Sequence, residues 1–232
     1  MFVFTMGIIA CQPVRAPQNC IAMPADCPLA KELTYMALGD SYTIGEGVAE
    51  AERWPVQLAA RLRQAGFPLA DPQIIARTGW TTGELEAGIE ATQPHGPFAL
   101  VTLLIGVNNQ YRRLSLPDYE KGFGRLLAQA IAFADNDPNR VIVVSIPDWG
   151  VTPFAEGRER SAIAQAIDQF NTVNREAAAH AGVYYVDVTP ISRLAANDAT
   201  LLADDGLHPS GRMYTSWVEL MLPVARAALH VN

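Results

Sequence analysis

Two short stretches of the sequence carry residue types that together could perform nucleophilic catalysis. A serine closes a Gly-Asp-Ser sequence at positions 39–41, and far downstream an Asp-x-x-His sequence places Asp205 three residues before His208. Residues three apart on a helical turn present their side chains to the same side, so Asp205 can accept the Nδ1 proton of His208. His208 Nε2 is then free to take a proton from Ser41. A serine, a histidine and a carboxylate in these roles are what ester cleavage through an acyl-enzyme requires.

Two further residues are candidates for stabilising the anion that such a reaction forms. Gly79 has no side chain to obstruct its backbone N–H. Asn108, in a Gly-Val-Asn-Asn stretch, carries an amide N–H₂ that can point at the same atom. With the N–H of Ser41 as a third donor, these groups would form an oxyanion hole. Each residue also has an ordinary interpretation as a turn or cap residue, and only their combination predicts catalysis.

The candidate residues follow strands of a predicted parallel sheet. Near-continuous runs of Val, Ile and Leu without polar alternation indicate strands that are buried on both faces. The strand candidates are 34–38, 73–76, 99–105, 141–146 and 183–188. Apolar residues at helical spacing lie between or after them, most clearly at 119–134, 163–177 and 210–229. This alternation predicts a three-layer α/β/α sandwich around a central five-stranded, mainly parallel sheet, whose strand ends bring Ser41, Gly79 and Asn108 to one edge.

The composition indicates one full-sized folded domain and disfavours several classes of function. The chain has 232 residues, half of them apolar, and 17 basic against 24 acidic residues give a net charge of −7. This acidic balance disfavours nucleic acid as a partner, because a basic face supplies most of that affinity. The sequence contains no glycine-rich phosphate loop, dinucleotide fingerprint or zinc-type Cys and His cluster. We therefore expect neither a cofactor nor a metal, while the composition predicts no particular oligomeric state.

The first thirty residues form a separate unit in this interpretation, ahead of a catalytic domain at 31–232. Residues 1–10 are almost wholly apolar and end in a small residue before Cys11, which resembles a bacterial lipoprotein signal with Cys11 as the lipidated residue. Residues 11–30 are rich in proline and predict an extended tether. Export would place the chain in the cell envelope or outside the cell, where Cys20 and Cys27 could form a disulfide. Without export the chain would be cytoplasmic and these two thiols would be free.

Taken in order, the candidate stretches resemble the sequence blocks of the SGNH hydrolases, also called the GDSL-like lipase/acylhydrolase family. The family's blocks centre on a serine in Gly-Asp-Ser, a glycine, an asparagine and a C-terminal Asp-x-x-His. Their counterparts here are Ser41, Gly79, Asn108, Asp205 and His208. The resemblance covers about residues 33–228 and implies a flavodoxin-like fold of the SGNH type.

The resemblance also implies a role for each matching residue. Ser41 is expected to be the nucleophile, His208 the general base and Asp205 its orienting partner. The Ser41 N–H, the Gly79 N–H and the Asn108 side chain are expected to form the oxyanion hole. Two residues depart from the family pattern: Tyr42 follows the serine where the family usually has Leu, a common variation, and Asn109 stands where the family usually has Asp. Because that Asp is commonly structural, we expect different local hydrogen bonding but no loss of activity.

The predicted function is a serine esterase that hydrolyses carboxylic esters, with small acyl or acetyl esters favoured. Two alternatives stay open: an acyltransferase that uses the same three residues, and a catalytically silent binding module of the cell envelope. Tyr42, Trp80 and Trp149 are candidates for substrate binding, with core packing as the alternative for the two tryptophans. The stretch 111–113, Tyr-Arg-Arg, either contacts an anionic or sugar-bearing substrate or is a solvated loop.

Overall fold

A five-stranded sheet forms the centre of the structure, a computed structural model that describes Met1 and residues 32–230. The strands are β1 (Tyr35–Gly39), β2 (Gln73–Ala76), β3 (Leu100–Leu104), β4 (Val141–Val144) and β5 (Tyr184–Val186). Their order across the sheet is β2-β1-β3-β4-β5, and every neighbouring pair is parallel. The predicted fold class is therefore confirmed, and each strand lies within its predicted range except β1, which is displaced by one residue.

Helices flank the sheet. They are α1 (Ser41–Ile44), α2 (Trp54–Gln64), α3 (Thr82–Thr92), α4 (Val107–Tyr111), α5 (Leu116–Phe133), α6 (Arg160–Ala181), α7 (Thr189–Arg193) and α8 (Gly211–His230). Helix α2 packs against α8, whereas α3 and α6 both pack against α5. The three helical stripes predicted from apolar spacing correspond to α5, α6 and α8, and α8 contains Pro223 in its interior.

Burial along the strands follows their position in the sheet. Every residue of β1, β3 and β4 is buried, as expected for central strands covered by helices on both faces. The edge strands β2 and β5 contain partly exposed residues. The prediction from uninterrupted apolar runs thus holds for the three central strands, whose carboxyl ends position the candidate site.

The predictions for residues 1–30 concern a part of the chain that, apart from Met1, lies outside the described residues. These predictions are the signal-like segment, the proline-rich tether, the lipidation of Cys11 and the disulfide between Cys20 and Cys27. Among the described residues, no helix combines the length and the apolar character that crossing a bilayer requires.

Candidate active site

Ser41 occupies the first position of α1, directly after β1. The preceding residue, Asp40, caps this helix by accepting the Tyr42 N–H through Oδ1 at 3.1 Å. Gly39 leaves no room for a side chain, because a Cβ there would collide with Thr43 Oγ1 and the Leu104 carbonyl. This tight strand-to-helix turn places Ser41 at the carboxyl edge of the sheet, where the residue is 5% exposed and lines a pocket.

The turn that carries Ser41 is held from two distant helices. The Tyr42 carbonyl accepts a hydrogen bond from Trp54 Nε1 on α2 and another from Tyr214 Oη on α8, each at 3.0 Å. Both donors are fully buried. The sequence singles out neither residue, because no motif connects Trp54 with the turn and Tyr214 lies at the other end of the domain.

Asp205 and His208 form the contact that their spacing predicts. Asp205 Oδ2 lies 2.6 Å from His208 Nδ1, while Asp205 Oδ1 accepts the backbone N–H groups of Leu207 and His208 at 2.9 Å each. Partial burial raises the pKa of Asp205, but the hydrogen bonds from the His208 ring and from the two N–H groups outweigh it, so the pKa lies below its ordinary value. The carboxylate is therefore ionised at neutral pH, which keeps the proton of His208 on Nδ1 and leaves Nε2 free.

One pocket brings the separate sequence stretches together. Ser41, Gly79, Asn108 and His208 all line this pocket, which has a volume of about 160 Å³. Its other lining residues are mostly apolar: Tyr42, Thr78, Val107, Tyr111, Trp149, Phe154 and Leu207. Within residues 32–230, no group of three or more His, Cys, Asp or Glu side chains is arranged to hold a metal ion. The chemistry that the pocket offers is that of a hydroxyl, an imidazole and hydrogen-bond donors.

The two predicted oxyanion donors are each fixed by a neighbour. Gly79 has φ +85°, a left-handed conformation that favours glycine, and its carbonyl accepts Arg112 Nη2 at 2.6 Å. Asn108 Nδ2 donates to the Trp80 carbonyl at 2.9 Å. Because an amide has two N–H groups, this bond orients the Asn108 side chain and leaves one donor for the pocket.

Asn109, which departs from the family pattern, anchors the start of α3. The residue is 3% exposed, its Oδ1 accepts the Thr82 N–H at 3.0 Å, and its Nδ2 donates to Thr82 Oγ1 at 2.9 Å. An aspartate here would instead accept from both Thr82 groups. The difference in hydrogen bonding is therefore confined to the direction of one bond at the N-terminus of α3.

Asp40 is a buried carboxyl next to the candidate nucleophile. Complete burial raises its pKa to about 7, and backbone N–H groups, including that of Tyr42, offset only part of this shift. Asp40 does not line the pocket of Ser41. Asp40 lies in the turn that carries Ser41. Its carboxyl changes protonation state near neutral pH.

The residues predicted to bind substrate divide into two groups. Tyr42 and Trp149 line the pocket, and the Tyr42 ring meets the His208 ring edge-on at 5.6 Å between centroids. Trp80 does not line it: the indole packs over Gly88 of α3, and only the Trp80 carbonyl serves the site, through Asn108. The prediction for the Trp80 side chain is therefore corrected, because the chain turns after Gly79 and directs the ring onto α3.

Several pocket residues had no signal of their own in the sequence. Phe154 is 42% exposed and lines the pocket. Val107 and Leu207 each lie next to a predicted functional residue. Adjacency along the chain to Asn108 and His208 is the signal by which these two could have been found.

Comparison with known proteins adds a family and a set of similar folds. The model of the GDSL-like lipase/acylhydrolase family matches residues 37–215. No relative was found among curated protein sequences. The structure of TesA is similar at 20% identity and a TM-score of 0.66, covering 84% of this chain and 99% of that chain.

Two further solved structures have the same fold. Phospholipase A1 from Streptomyces albidoflavus is 21% identical with a TM-score of 0.62, covering 84% of this chain and 98% of that chain. A single-residue variant of Axe2, an acetyl xylan esterase from Geobacillus stearothermophilus, is 19% identical with a TM-score of 0.61, covering 84% of this chain and 94% of that chain. At these identities the likeness establishes the fold alone.

Proposed function

This chain belongs to the GDSL-like lipase/acylhydrolase family and is a carboxylic ester hydrolase, and from this premise we propose that it cleaves small acyl esters through an acyl-enzyme on Ser41. The observation that carries the proposal is the 2.6 Å contact between Asp205 and His208, in a loop whose histidine lines the same pocket as Ser41. Nucleophile, base and orienting carboxylate are the three parts that this reaction needs.

In the first half-reaction, His208 Nε2 removes the Ser41 proton as Oγ attacks the ester carbonyl carbon. The charge that develops on the carbonyl oxygen is stabilised by the N–H groups of Ser41 and Gly79 and by the Asn108 amide. His208, now carrying two protons and paired with ionised Asp205, gives one to the departing alcohol. The ester's acyl group remains bound to Ser41 Oγ.

In the second half-reaction, water takes the place of the alcohol. His208 removes a proton from the water as it attacks the acyl-enzyme, and the same three donors stabilise the second tetrahedral anion. Collapse of this anion returns the proton to Ser41 and releases the carboxylic acid. An added alcohol that replaces water at this step would make the enzyme a transferase, so product analysis with excess alcohol tests that alternative.

The size of the pocket supports a short acyl group. Its volume of about 160 Å³ is below the range of roughly 300–1,000 Å³ that is common for ligand pockets. Its apolar walls, which include Val107, Trp149 and Phe154, suit an aliphatic group of a few carbons. The fold itself does not choose the acyl chain, because the similar structures include both a phospholipase and an acetyl xylan esterase.

The test is hydrolysis of p-nitrophenyl esters of increasing acyl length. We expect the highest kcat/KM for acetate to butyrate, and loss of turnover in Ser41→Ala. The matched control is Ser216→Ala, which removes an exposed hydroxyl on α8 and should leave the rate unchanged. A fluorophosphonate probe should add one label per chain, at Ser41. Full activity in Ser41→Ala, or labelling of another residue, would contradict the proposal.

A further inference from the structure

A second cleft adjoins the candidate active site and shares two of its walls. It has a volume of about 380 Å³, and Tyr111 and Trp149 line both this cleft and the pocket of Ser41. The other residues that line it are Gln110, Arg113, Gly157, Arg158, Glu159, Ala162 and Ile163. Because the two cavities share these side chains, the cleft is a direct neighbour of the pocket that Ser41 lines.

The guanidinium of Arg158 is held in the cleft by aromatic rings. Its central carbon lies 5.1 Å from the ring centroid of Tyr111, 5.3 Å from that of Trp149 and 5.4 Å from that of Phe154. Arg158 Nη2 also donates to Tyr111 Oη at 3.2 Å. The aromatic wall is itself fixed, since Trp149 Nε1 donates to Gln110 Oε1 at 2.8 Å. These contacts orient the cation while leaving most of its N–H donors for a ligand.

The charge of the cleft is opposite to that of the whole chain. In the part of the chain that the structure describes, neither Arg113 nor Arg158 has a carboxylate within ion-pair distance, in contrast to seven other arginines that do. The acidic residue that lines the cleft, Glu159, accepts the Ser161 hydroxyl at 2.7 Å. Two positive charges against one negative charge leave the cleft with one net positive charge, although the chain as a whole carries −7.

We propose that this cleft is a subsite for a carboxylate group on the ester substrate, so that the enzyme prefers esters carrying one negative charge on their acyl or alcohol part. This inference rests on the proposed ester hydrolysis at Ser41. A guanidinium presents a planar fork of donors that matches a carboxylate, and such charge-assisted bonds are stronger than neutral ones. The single net positive charge of the cleft suits a monoanion better than a doubly charged phosphate monoester.

The first experiment compares ester pairs in which one member carries a carboxylate and the other its uncharged methyl ester. On the alcohol side the pair is 4-acetoxybenzoate and its methyl ester, and on the acyl side it is mono-p-nitrophenyl adipate and methyl p-nitrophenyl adipate. For wild type we expect a higher kcat/KM for the anionic member of at least one pair. In Arg158→Gln this preference should fall about tenfold or more, while the rate on the neutral member stays within a few-fold.

The matched control is Arg226→Gln, which removes the same charge from an exposed position on α8 that does not line the cleft. It should leave the preference unchanged. Arg158→Lys keeps the charge but loses the planar fork, so it should retain only part of the preference. Thermal melting of each variant establishes that it is folded. Equal preferences in wild type and Arg158→Gln would overturn the proposal.

A binding measurement separates failure of the subsite from failure of ester hydrolysis. If wild type cleaved neither member of either pair, the proposed function would fail, and titration calorimetry with benzoate would still test the cleft. Benzoate should bind about tenfold more weakly to Arg158→Gln than to wild type, whereas benzamide should not distinguish them. Equal benzoate affinities would overturn the subsite.

Vesicles test whether the anion belongs instead to a lipid surface. We expect no difference between wild type and Arg158→Gln in co-sedimentation with phosphatidylcholine vesicles that contain phosphatidylglycerol. Arginine-dependent co-sedimentation, combined with no preference within the soluble ester pairs, would assign Arg158 to a membrane surface and overturn the subsite.

Discussion

At the scale of single residues, the site depends on how each polar group is oriented by its neighbours. Asp205 accepts three hydrogen bonds, one from the His208 ring and two from backbone N–H groups, so its position is fixed before any substrate arrives. Asn108 is oriented in the same way by the Trp80 carbonyl. Groups that are already in place need no reorganisation during the reaction, which is the main source of electrostatic stabilisation in such sites.

The neighbouring residues Asn108 and Asn109 allow one substitution to be compared at two positions. Asn108→Asp removes the proposed oxyanion donor and adds negative charge, so kcat should fall about a hundredfold or more with little change in KM. Asn109→Asp lets the carboxylate accept both Thr82 groups, and kcat should stay within a few-fold of wild type. Steady-state kinetics with p-nitrophenyl acetate measure both. A change in KM alone for Asn108→Asp would move this residue from the oxyanion hole to substrate binding.

Asp40 predicts a pH dependence of stability. Burial raises its pKa to about 7 in the folded protein, whereas the unfolded value is near 3.9. Between these values the folded state binds more protons than the unfolded state, so the free energy of unfolding falls as the pH rises from 4 to 7. Between pH 5 and pH 8, the free energy of unfolding should fall by on the order of 2 kcal/mol less in Asp40→Asn than in wild type.

Urea unfolding at the two pH values measures this difference. Asp204→Asn, the same substitution at an exposed position, is the control and should follow wild type. If the free energy of unfolding fell equally in wild type and Asp40→Asn between pH 5 and pH 8, Asp40 would not titrate near neutrality in the folded protein.

At the scale of elements, apolar runs and apolar spacing predicted most of the sheet and the long helices. The central strands are uninterrupted apolar segments because helices cover both of their faces, and α5 and α6 show the stripe of a helix with one buried side. Gly122 and Gly124 both lie inside α5, where glycine is a poorer helix former than alanine. The structure shows that they differ: a Cβ on Gly122 would lie 2.7 Å from Thr82 Oγ1, whereas Gly124 is exposed with open space around it.

The two glycines of α5 therefore predict opposite effects of the same substitution. Gly124→Ala should raise the free energy of unfolding by roughly 0.5–1 kcal/mol, because alanine is the better helix former and has room. Gly122→Ala should lower it, since the helix propensity gained is outweighed by the collision with Thr82. Chemical denaturation of both variants measures this. Stabilisation by Gly122→Ala would show that α3 and α5 can separate without cost.

At the scale of the whole molecule, the turn that carries Ser41, near the start of the described residues, is held by a helix at their end. Helices α2 and α8 pack together, and each sends one buried donor to the Tyr42 carbonyl. Burial of these donors means that an unpaired group there would cost more than one at the surface. The packing of α8 against α2 thus also fixes Tyr42, the residue that follows Ser41.

Tyr214→Phe tests this connection. Loss of the hydrogen bond to the Tyr42 carbonyl should lower the free energy of unfolding by about 1 kcal/mol, because Trp54 continues to donate to the same carbonyl. Tyr184→Phe removes a hydroxyl from edge strand β5 and is the matched control. Equal stability of Tyr214→Phe and wild type in urea would show that Trp54 alone is sufficient to hold the turn.

The sequence by itself determined the strands, the long helices, the family and the contact between Asp205 and His208. The strands, the helices and this contact each depend on residues that are close along the chain: a run of apolar side chains, a helical period, or a spacing of three in one turn. The family depends instead on the order of short blocks between Ser41 and His208. The departure at Asn109 was also visible in the sequence, although its partner on α3 was not.

Only the tertiary structure decided which side chains share a cavity. It placed Trp149 and Phe154 in the pocket of Ser41 and turned the Trp80 ring onto α3. It also surrounded Arg158 with three aromatic rings and joined α8 to the turn that carries Ser41. The pocket of Ser41, the contact of Arg158 with Tyr111 and the bond from α8 join segments far apart in sequence. They depend on how crossovers stack helices on the sheet, which no local pattern of residues records.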